Sequence, residues 1–365
     1  MNSLRRWRER LLSCLVGCRY LLLLSFALPA DALEPVTLQL KWTHSFQFAG
    51  YYAAKAKGYY QAAGLDVTIR EAMPGLDIAD EVSRGRANYG TGSSSLILAR
   101  HAGQPVVTLA VIFQHSPYIL LAPYRGETQS LHDLLGKRLM LEPGAEELLA
   151  YLKSEGIPLE RLQRQAHSLD FNDLIWSKTD AISAYSTTEP YFLDRARFPY
   201  QVYSPRAAGI DFYGDNLFTS EHELRRHPER ARGFRDASLR GWEYALAHPD
   251  EIIDLILASY PQRHDREHLR FEVEAMRPLI RNDLVALGYM NPGRWRHIAD
   301  TYASIGMLPA DWPLDDFLHA DTPDTGHLRA LRWTLAGSLA GLVALRAQLL
   351  YILRNNRRLN EITRK

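Results

Sequence analysis

From Val36 onward, short runs of strand-forming residues alternate with helix-like stretches, and this alternation limits the chain to an α/β fold. Each early strand is followed by a crossover, which favours mainly parallel sheets. The strand-like runs are Val36–Trp42, Leu65–Ile69, Val106–Ile112, Tyr118–Ala122, Lys137–Leu141, Gln165–Leu169 and Ala181–Tyr185. The helical patterns are Gln47–Ala63, Ala145–Glu155, Glu221–Ala247, Pro249–Tyr260, Arg266–Leu279 and Arg294–Ile305.

These elements predict two α/β lobes within residues 33–320. We expect lobe 1 to span about 36–120 and 205–320, and lobe 2 to span about 124–202. Strands near Tyr118–Pro123 and Gln201–Ser204 would join the lobes. Because ligands of open α/β sheets bind beyond the carboxyl ends of the strands, facing lobes would place those ends around one cleft.

Charge and cysteine content exclude several classes of function. The 43 basic and 42 acidic residues leave a net charge of +1, which gives no electrostatic basis for nucleic-acid binding. Both cysteines, Cys14 and Cys18, precede the body, which therefore has no disulfide framework and no cysteine nucleophile. No metal-ligand spacing and no catalytic motif is present in the sequence. We predict no metal, no cofactor and no catalytic residue.

The two ends of the chain predict export and a membrane tether. Residues 1–32 combine a basic start, a short apolar run and an A-x-A site, as in a signal peptide; a retained anchor is the alternative. Residues 321–330 read as a linker, 331–353 as a transmembrane helix and 354–365 as a basic cytoplasmic tail. Arg346 interrupts the apolar segment, so an amphipathic helix docked on the protein is also open.

The first strand ends in Lys41-Trp42-Thr43-His44. The large π face of a tryptophan at a strand end suits stacking on a flat ring, although a core tryptophan would give the same sequence. His44 could face a ligand or form a structural hydrogen bond. The helix that follows carries Phe48 and Tyr51 near helical spacing.

Two glycine-containing turns lead from strands into helices, at Tyr89–Leu96 and at Glu142–Ala145. Free N–H groups and the hydroxyls of Ser93, Ser94 and Ser95 could hold carboxylate, sulfonate or phosphate oxygens, or could form an ordinary capping turn. Gly144 gives the second turn the same geometry on the other lobe.

Two further segments could line the cleft. Tyr185–Tyr191 places Glu189 among aromatic residues at a strand end, where a carboxylate can accept from a ring N–H; a surface acid before Pro190 is the alternative. Residues 209–216, with Asp211 and Tyr213, could line the cleft or act as a hinge.

Several ordered motifs carry a family resemblance. They are Leu38–Trp42, Gln47–Gly58, Gly64–Asp66, Gly85–Gly90, Ser95, Gly103–Pro105 and Thr188–Pro190. Over roughly residues 36–318 the chain resembles the periplasmic binding proteins for thiamine-pyrimidine precursors and alkanesulfonates, which include the thiamine pyrimidine synthases. The motifs Phe113–Pro117 and Asp211–Phe218 resemble the subgroup that forms the sensory part of bacterial diguanylate cyclases and histidine kinases.

The resemblance implies a two-lobed, hinge-closing periplasmic binding fold of type II, with Trp42 stacking on a ligand and Glu189 bonding to it. It also implies that Thr91 and Ser95 occupy the slots of the synthases' reactive lysine and histidine, so the enzyme activity should not transfer. The candidate ligand-binding residues are Trp42, His44, Phe48, Tyr51, Ser93, Ser94, Ser95, His115, Glu142, Gly144, Tyr185, Thr187, Glu189, Asp211 and Tyr213.

We therefore expect a periplasmic solute-binding or sensor domain, anchored to the inner membrane, that closes on a small molecule such as a thiamine pyrimidine precursor. The alternatives are an ABC-type receptor for a sulfonate or pyrimidine, and a thiamine pyrimidine synthase-like enzyme of thiamine biosynthesis, whose reactive residues are absent. The expected partners are the small-molecule ligand, the inner membrane, and a cytoplasmic signalling module or an ABC permease.

Overall fold

The computed structural model describes residues 32–126, 130–261 and 264–319, together with Ser338 and Arg346. The predicted signal peptide up to residue 31, the linker, the transmembrane helix and the basic tail otherwise lie outside the described residues. Within the described part of the chain, no helix is both long and apolar enough to cross a bilayer.

The first sheet contains five strands in the order β2, β1, β3, β10, β4. Strands β1, β2 and β3 pair in parallel, whereas β10 is antiparallel to both of its neighbours. One strand from late in the chain is therefore inserted into a sheet built from early ones. The strands are β1 Glu34–Gln39, β2 Leu65–Arg70, β3 Tyr89–Gly92, β4 Val106–Val111 and β10 Asn216–Ser220.

The second sheet repeats this plan in the order β7, β6, β8, β5, β9. Here β5 is the strand that runs against the others. The prediction of mainly parallel strands is thus correct for four strands of each sheet. The strands are β5 Tyr118–Pro123, β6 Arg138–Leu141, β7 Gln163–Ala166, β8 Ala181–Tyr185 and β9 Tyr200–Tyr203.

Three predicted features of the strands need correction. Strand β5 pairs inside the second sheet, so the second lobe begins at Tyr118 and not near residue 124. Strand β7 ends at Ala166, because the backbone turns at Leu169, where φ is +61°. Strand β10 was not predicted, because it begins at the end of the segment 209–216 that was interpreted as a loop or hinge.

The helices mostly follow the predicted patterns, with two divisions. Gly58, in the left-handed region at φ +71°, splits the helix predicted over Gln47–Ala63. Pro228 starts a new helix inside Glu221–Ala247 because it has no N–H to continue the previous one. The helices are α1 Ala49–Ala56, α2 Tyr59–Ala62, α3 Ile78–Ser83, α4 Leu96–His101, α5 Glu146–Ser154, α6 Asn172–Ile175, α7 Glu189–Arg195, α8 Glu221–Arg226, α9 Pro228–Ala247, α10 Pro249–Ser259, α11 Arg266–Ile280 and α12 Pro292–Ser304.

Helices α1 and α9 pack closely in the core of the first lobe. A Cβ atom added to Gly241 would lie 2.1 Å from the carbonyl oxygen of Gly50, so two glycines permit the approach. Beside this contact, Trp242 meets Tyr51 edge-on, with ring centroids 5.9 Å apart. The first helix is thereby fixed beneath the end of β1.

Two crossing segments, 112–117 and 204–215, connect the lobes and bond to each other. The N–H of Ile112 donates to the carbonyl of Asp215 at 2.8 Å, and the N–H of Gly214 donates to that of Phe113 at 2.9 Å. Paired crossings of this kind form a two-stranded hinge. The lobes also touch directly, since Trp42 of the first lobe meets His167 of the second at 5.2 Å between ring centroids.

Candidate functional site

The end of β1 directs two side chains at the second lobe. The N–H of Lys41 donates to Thr91 Oγ1 at 2.9 Å, and the carbonyl of Trp42 accepts from the N–H of Ala72 at 3.0 Å. These bonds fix the backbone just beyond the carboxyl end of the strand, where open α/β sheets bind ligands. Lys41 and Trp42 therefore mark the floor of the cleft between the lobes.

Lys41 is the centre of a buried polar cluster, which we call the lysine junction; its members are Lys41, Tyr118, Glu142, Tyr185 and Asp215. Lys41 Nζ donates to the hydroxyls of Tyr118, at 3.1 Å, and of Tyr185, and lies 3.6 Å from Asp215 Oδ1 and 3.9 Å from Glu142 Oε1. The charged side chains are only 6%, 9% and 5% exposed for Lys41, Glu142 and Asp215. The cluster joins the lobes. The carboxylates of Asp215 and Glu142 balance the positive charge of Lys41 inside the protein.

Burial sets the protonation of the groups around Lys41. It raises the pKa of Tyr118 and of Tyr185 well above the usual value, so both remain hydroxyl donors. The Tyr185 hydroxyl is 2.8 Å from Asp215 Oδ1, to which it donates. Burial also raises the pKa of Glu142, and the ammonium of Lys41 opposes that rise.

On one side of the junction lies a cavity of about 340 Å³, which we call the serine cavity. The first lobe contributes Thr91, Ser93 and Ser95 to its lining, and the second lobe contributes Gly144 and Glu146. The hydroxyls of Ser93 and Ser95 lie 2.6 and 3.0 Å from the carbonyl oxygen of Gly144, to which they donate. Residues of both predicted turns thus meet across the cleft.

The proposed anion site at the serine loop requires correction. The N–H groups of Ser95, Leu96 and Ile97 already donate to Ser93 Oγ and to the carbonyls of Ser93 and Ser94, at 3.2 to 3.3 Å. Ser94 is buried and its hydroxyl donates to the carbonyl of Tyr213 at 2.7 Å. The loop therefore caps its own helix and bonds to the other lobe.

On the other side of the junction lies a cavity of about 280 Å³, the tryptophan cavity. Trp42 lines it from the first lobe, and Glu189 and Phe192 line it from the second. Glu189 Oε2 accepts from the N–H of Tyr185 at 2.8 Å, and burial raises the pKa of this carboxyl to about 8. The indole of Trp42 and the carboxyl group of Glu189 thus line one cavity. The remaining lining residues are Thr43, Leu169, Asp170, Phe171, Asn172, Thr188 and His264.

The junction separates the two cavities. The space between them, lined by Lys41, Trp42, Glu142, Tyr185 and Glu189 among others, holds only about 10 Å³. That is no more than the volume one water molecule needs. The single site predicted from the sequence is therefore two cavities with a polar wall between them.

Three predicted site residues belong to the core of the first lobe. Phe48 and Tyr51 are buried beneath the end of β1 and line neither cavity. His44 Nδ1 lies 2.8 Å from the hydroxyl of Tyr52, and burial lowers the pKa of the imidazole. Helical spacing correctly identified Phe48 and Tyr51 as buried residues. They face the core of the first lobe, next to α9, and not the cleft.

Other predicted residues lie at the hinge. His115 Nδ1 is 2.7 Å from Asp211 Oδ2, and Arg294 Nη2 is 3.4 Å from the same oxygen. Tyr213 is buried and accepts from the N–H of Asn291 at 3.1 Å. The hinge alternative for residues 209–216 is therefore the better interpretation.

Thr187 belongs to neither group: it is buried and lines neither cavity.

The sequence missed several residues of the site, namely Lys41 and Asp215 of the junction, Glu146 of the serine cavity, and Phe171 and Phe192 of the tryptophan cavity. For Lys41, the sequence offers one indication of this role, namely that a lysine ends the strand-like run Leu38-Gln-Leu-Lys. Among the described residues, no three potential metal-ligating side chains converge.

Two α/β lobes, two paired crossings and ligand-sized cavities between the lobes define a protein of the periplasmic-binding-protein fold. The alkanesulfonate-binding protein SsuA of Xanthomonas axonopodis pv. citri, bound to MOPS, has this fold and superposes with a TM-score of 0.61 at 12% identity, over 79% of this chain and 98% of SsuA. Residues 45–252, more than half of the chain, match the profile of the NMT1/THI5-like family. The chain belongs to that family.

Two relatives are ligand-binding proteins. The chain is 29% identical to the riboflavin-binding protein RibY of Chloroflexus aurantiacus over 299 residues, which cover 78% of this chain and 84% of RibY. It is 24% identical to the formylaminopyrimidine-binding protein of Halalkalibacterium halodurans over 261 residues, which cover 67% of this chain and 79% of the relative.

Proposed function

We propose that this protein is a solute-binding protein that closes on a flat, nitrogen-containing aromatic ring, such as a thiamine pyrimidine precursor or a flavin, and does not transform it. One observation carries the proposal: Trp42 and Glu189 line the same cavity from opposite lobes. A ligand that contacts both residues can be held only when the lobes are together. Its binding energy would therefore favour the closed form.

The chemistry of the tryptophan cavity fits such a ring. An indole face attracts flat aromatic rings, and Phe171 and Phe192 add further apolar surface. One oxygen of Glu189 is held by the N–H of Tyr185, which fixes the carboxyl group. With a pKa of about 8, this group can donate a hydrogen bond to a ring nitrogen when it is protonated, or accept one from an amino group when it is ionised.

The names of the relatives support the same ligand class, since riboflavin and formylaminopyrimidine are both nitrogen heteroaromatics. The synthase alternative is disfavoured by Thr91, which takes the slot of a reactive residue in the resembling enzymes. Its Oγ1 already accepts from the N–H of Lys41, which gives it a structural role at the cleft floor.

Calorimetric titration of the full chain with riboflavin and with formylaminopyrimidine tests the proposal. We expect one of them to bind, and Trp42→Ala to weaken that binding by about tenfold or more, because the stacking surface is lost. Trp176→Ala is the matched control: Trp176 is 59% exposed and lines neither cavity, so its replacement should leave affinity unchanged. Equal affinity of the Trp42 variant and the parent protein would refute the ring site.

We further propose that the domain works in the periplasm, tethered to the inner membrane by residues 331–353, and that a cytoplasmic signalling module or an ABC permease responds to its closed form. The apolar segment followed by basic residues supports the tether. Alkaline washing of membranes should leave the full chain in the pellet and release a chain that ends at residue 320. Release of both proteins would contradict the tether.

A further inference from the structure

The serine cavity is lined by acidic side chains and lacks a free cation. Glu146 and Asp77 both line it, and neither has a salt bridge among the described residues. Asp77 instead caps helix α3 by accepting from the N–H of Asp80 at 3.1 Å. Of the described residues that line this cavity, Lys41 alone is a lysine or an arginine.

Lys41 already has partners within the protein. The ammonium of Lys41 is held by two tyrosine hydroxyls and lies within 4 Å of the carboxylates of Asp215 and Glu142. Drawing it towards a ligand anion would leave those two buried carboxylates without their counter-charge, which is costly. The lysine junction therefore gives the serine cavity little positive potential.

The donors of the serine loop are also unavailable to an anion. The hydroxyls of Ser93 and Ser95 are directed at the carbonyl of Gly144, and the N–H groups of Ser95 and Leu96 donate within the loop. In contrast, Glu146 offers an acceptor, since its Oε2 is shut off from solvent and has no hydrogen-bond partner among the described residues. Burial raises the pKa of this carboxyl group, and hydrogen bonds from Ser95 and from the backbone at Glu146 and Gly144 oppose that rise. A ligand group that donates to Glu146 would satisfy it, and a phosphate or sulfonate would not.

We propose that the serine cavity is a second subsite that receives an uncharged or cationic, donor-rich part of the ligand, and that Glu146 is the residue that rejects phosphate and sulfonate. This inference rests on the proposed solute-binding function and adds a charge rule to it. The fold is shared with a protein that binds a sulfonate, but the lining of this cavity points to the opposite selectivity.

Riboflavin and riboflavin 5′-phosphate form a matched pair of ligands that differ only in the phosphate. We expect the full chain to bind the phosphate at least about tenfold more weakly, because the phosphate would lie beside the acidic side chains of Asp77 and Glu146 with only the paired Lys41 as a cation in the described lining. Glu146→Gln should reduce this discrimination several-fold while changing riboflavin affinity less. Glu155→Gln removes the same charge from the exposed far end of α5 and should preserve the discrimination.

MOPS, a sulfonate without an aromatic ring, makes the charge rule testable independently of the ring site. It should not raise the melting temperature of the parent chain, and Glu146→Lys should introduce a rise. If riboflavin fails to bind, the ring ligand is wrong, and MOPS alone decides the charge rule. The inference would be overturned if MOPS stabilised the parent chain. It would also be overturned if the parent chain and the Glu146→Gln variant each bound riboflavin and its phosphate with equal affinity.

Discussion

Replacing Lys41 by methionine tests whether the lysine junction holds the lobes together. Methionine keeps the volume of the side chain but removes a cation that lies 3.6 Å from Asp215 and 3.9 Å from Glu142 in a buried setting. Removing one partner of a buried charge pair costs about 3 to 5 kcal/mol. Gln47 still donates to Asp215 at 2.6 Å, and Glu142 can take up a proton, so we expect a loss near the lower limit, about 3 kcal/mol.

The loss should depend on pH in a defined direction. Burial raises the pKa of Glu142 in the folded protein, and removal of Lys41 should raise it further. An acid whose folded-state pKa exceeds its unfolded value stabilises the fold most below the unfolded pKa, and that stability is lost as the pH rises through the folded value. The stability deficit of the variant should therefore be larger at pH 8 than at pH 5.

Urea unfolding of both proteins at these two pH values measures the deficit. Lys57→Met is the control, because Lys57 pairs with Glu251 at 2.5 Å on the surface, where the loss should be much smaller. Small-angle scattering should show a larger radius of gyration for the Lys41 variant, as the opposing lobes separate. A loss of unfolding free energy below about 1 kcal/mol, or a loss that is equal at pH 5 and pH 8, would refute the conclusion that the lysine junction holds the lobes together.

Two further predictions concern packing and pH. Gly241→Ala should destabilise the protein by about 2 kcal/mol in urea unfolding, because its Cβ would lie 2.1 Å from the carbonyl oxygen of Gly50. Gly233→Ala on the same helix is the control. Its Cβ would lie 3.4 Å from the nearest heavy atom, the Cβ of Ala63, so this change should be neutral or stabilising. The free energy of unfolding should also fall as the pH rises from about 4.5 to about 8, because burial raises the pKa of Glu189, Glu147 and Glu272 to about 8. Glu189→Gln should reduce that slope without abolishing it, and an unchanged slope would contradict the pKa assignment of Glu189.

Local patterns were sufficient to predict most strands of the lobes and their longer helices. Strand runs are contiguous in sequence, and the carboxyl ends of parallel strands necessarily share an edge. Trp42 and Glu189 follow strands of different sheets, so their meeting in one cavity depends on the two lobes facing each other, and their pairing was expected from the family resemblance. The place of β10 in the sheet could not be predicted, because its partners, β3 and β4, lie more than a hundred residues earlier.

The rest of the site depends on contacts that no local pattern encodes. Lys41 bonds to Tyr185 across 144 positions, so its role could not be derived from its neighbours in the chain. Tyr51 was misassigned for a different reason: Ala49 to Ala54 are all buried, so helical periodicity does not distinguish the face towards the cleft from the face towards α9. When every face of a helix is buried, spacing identifies core residues but not binding residues.

The insertion of β10 between β3 and β4 has a consequence for biosynthesis. As the chain leaves the ribosome, β4 emerges about a hundred residues before the strand that must separate it from β3. The second lobe, whose strands all lie between Tyr118 and Tyr203, can be completed first. Until residue 220 has been synthesised, the open edges of β3 and β4 are exposed to other chains, so that association through these edges competes with folding.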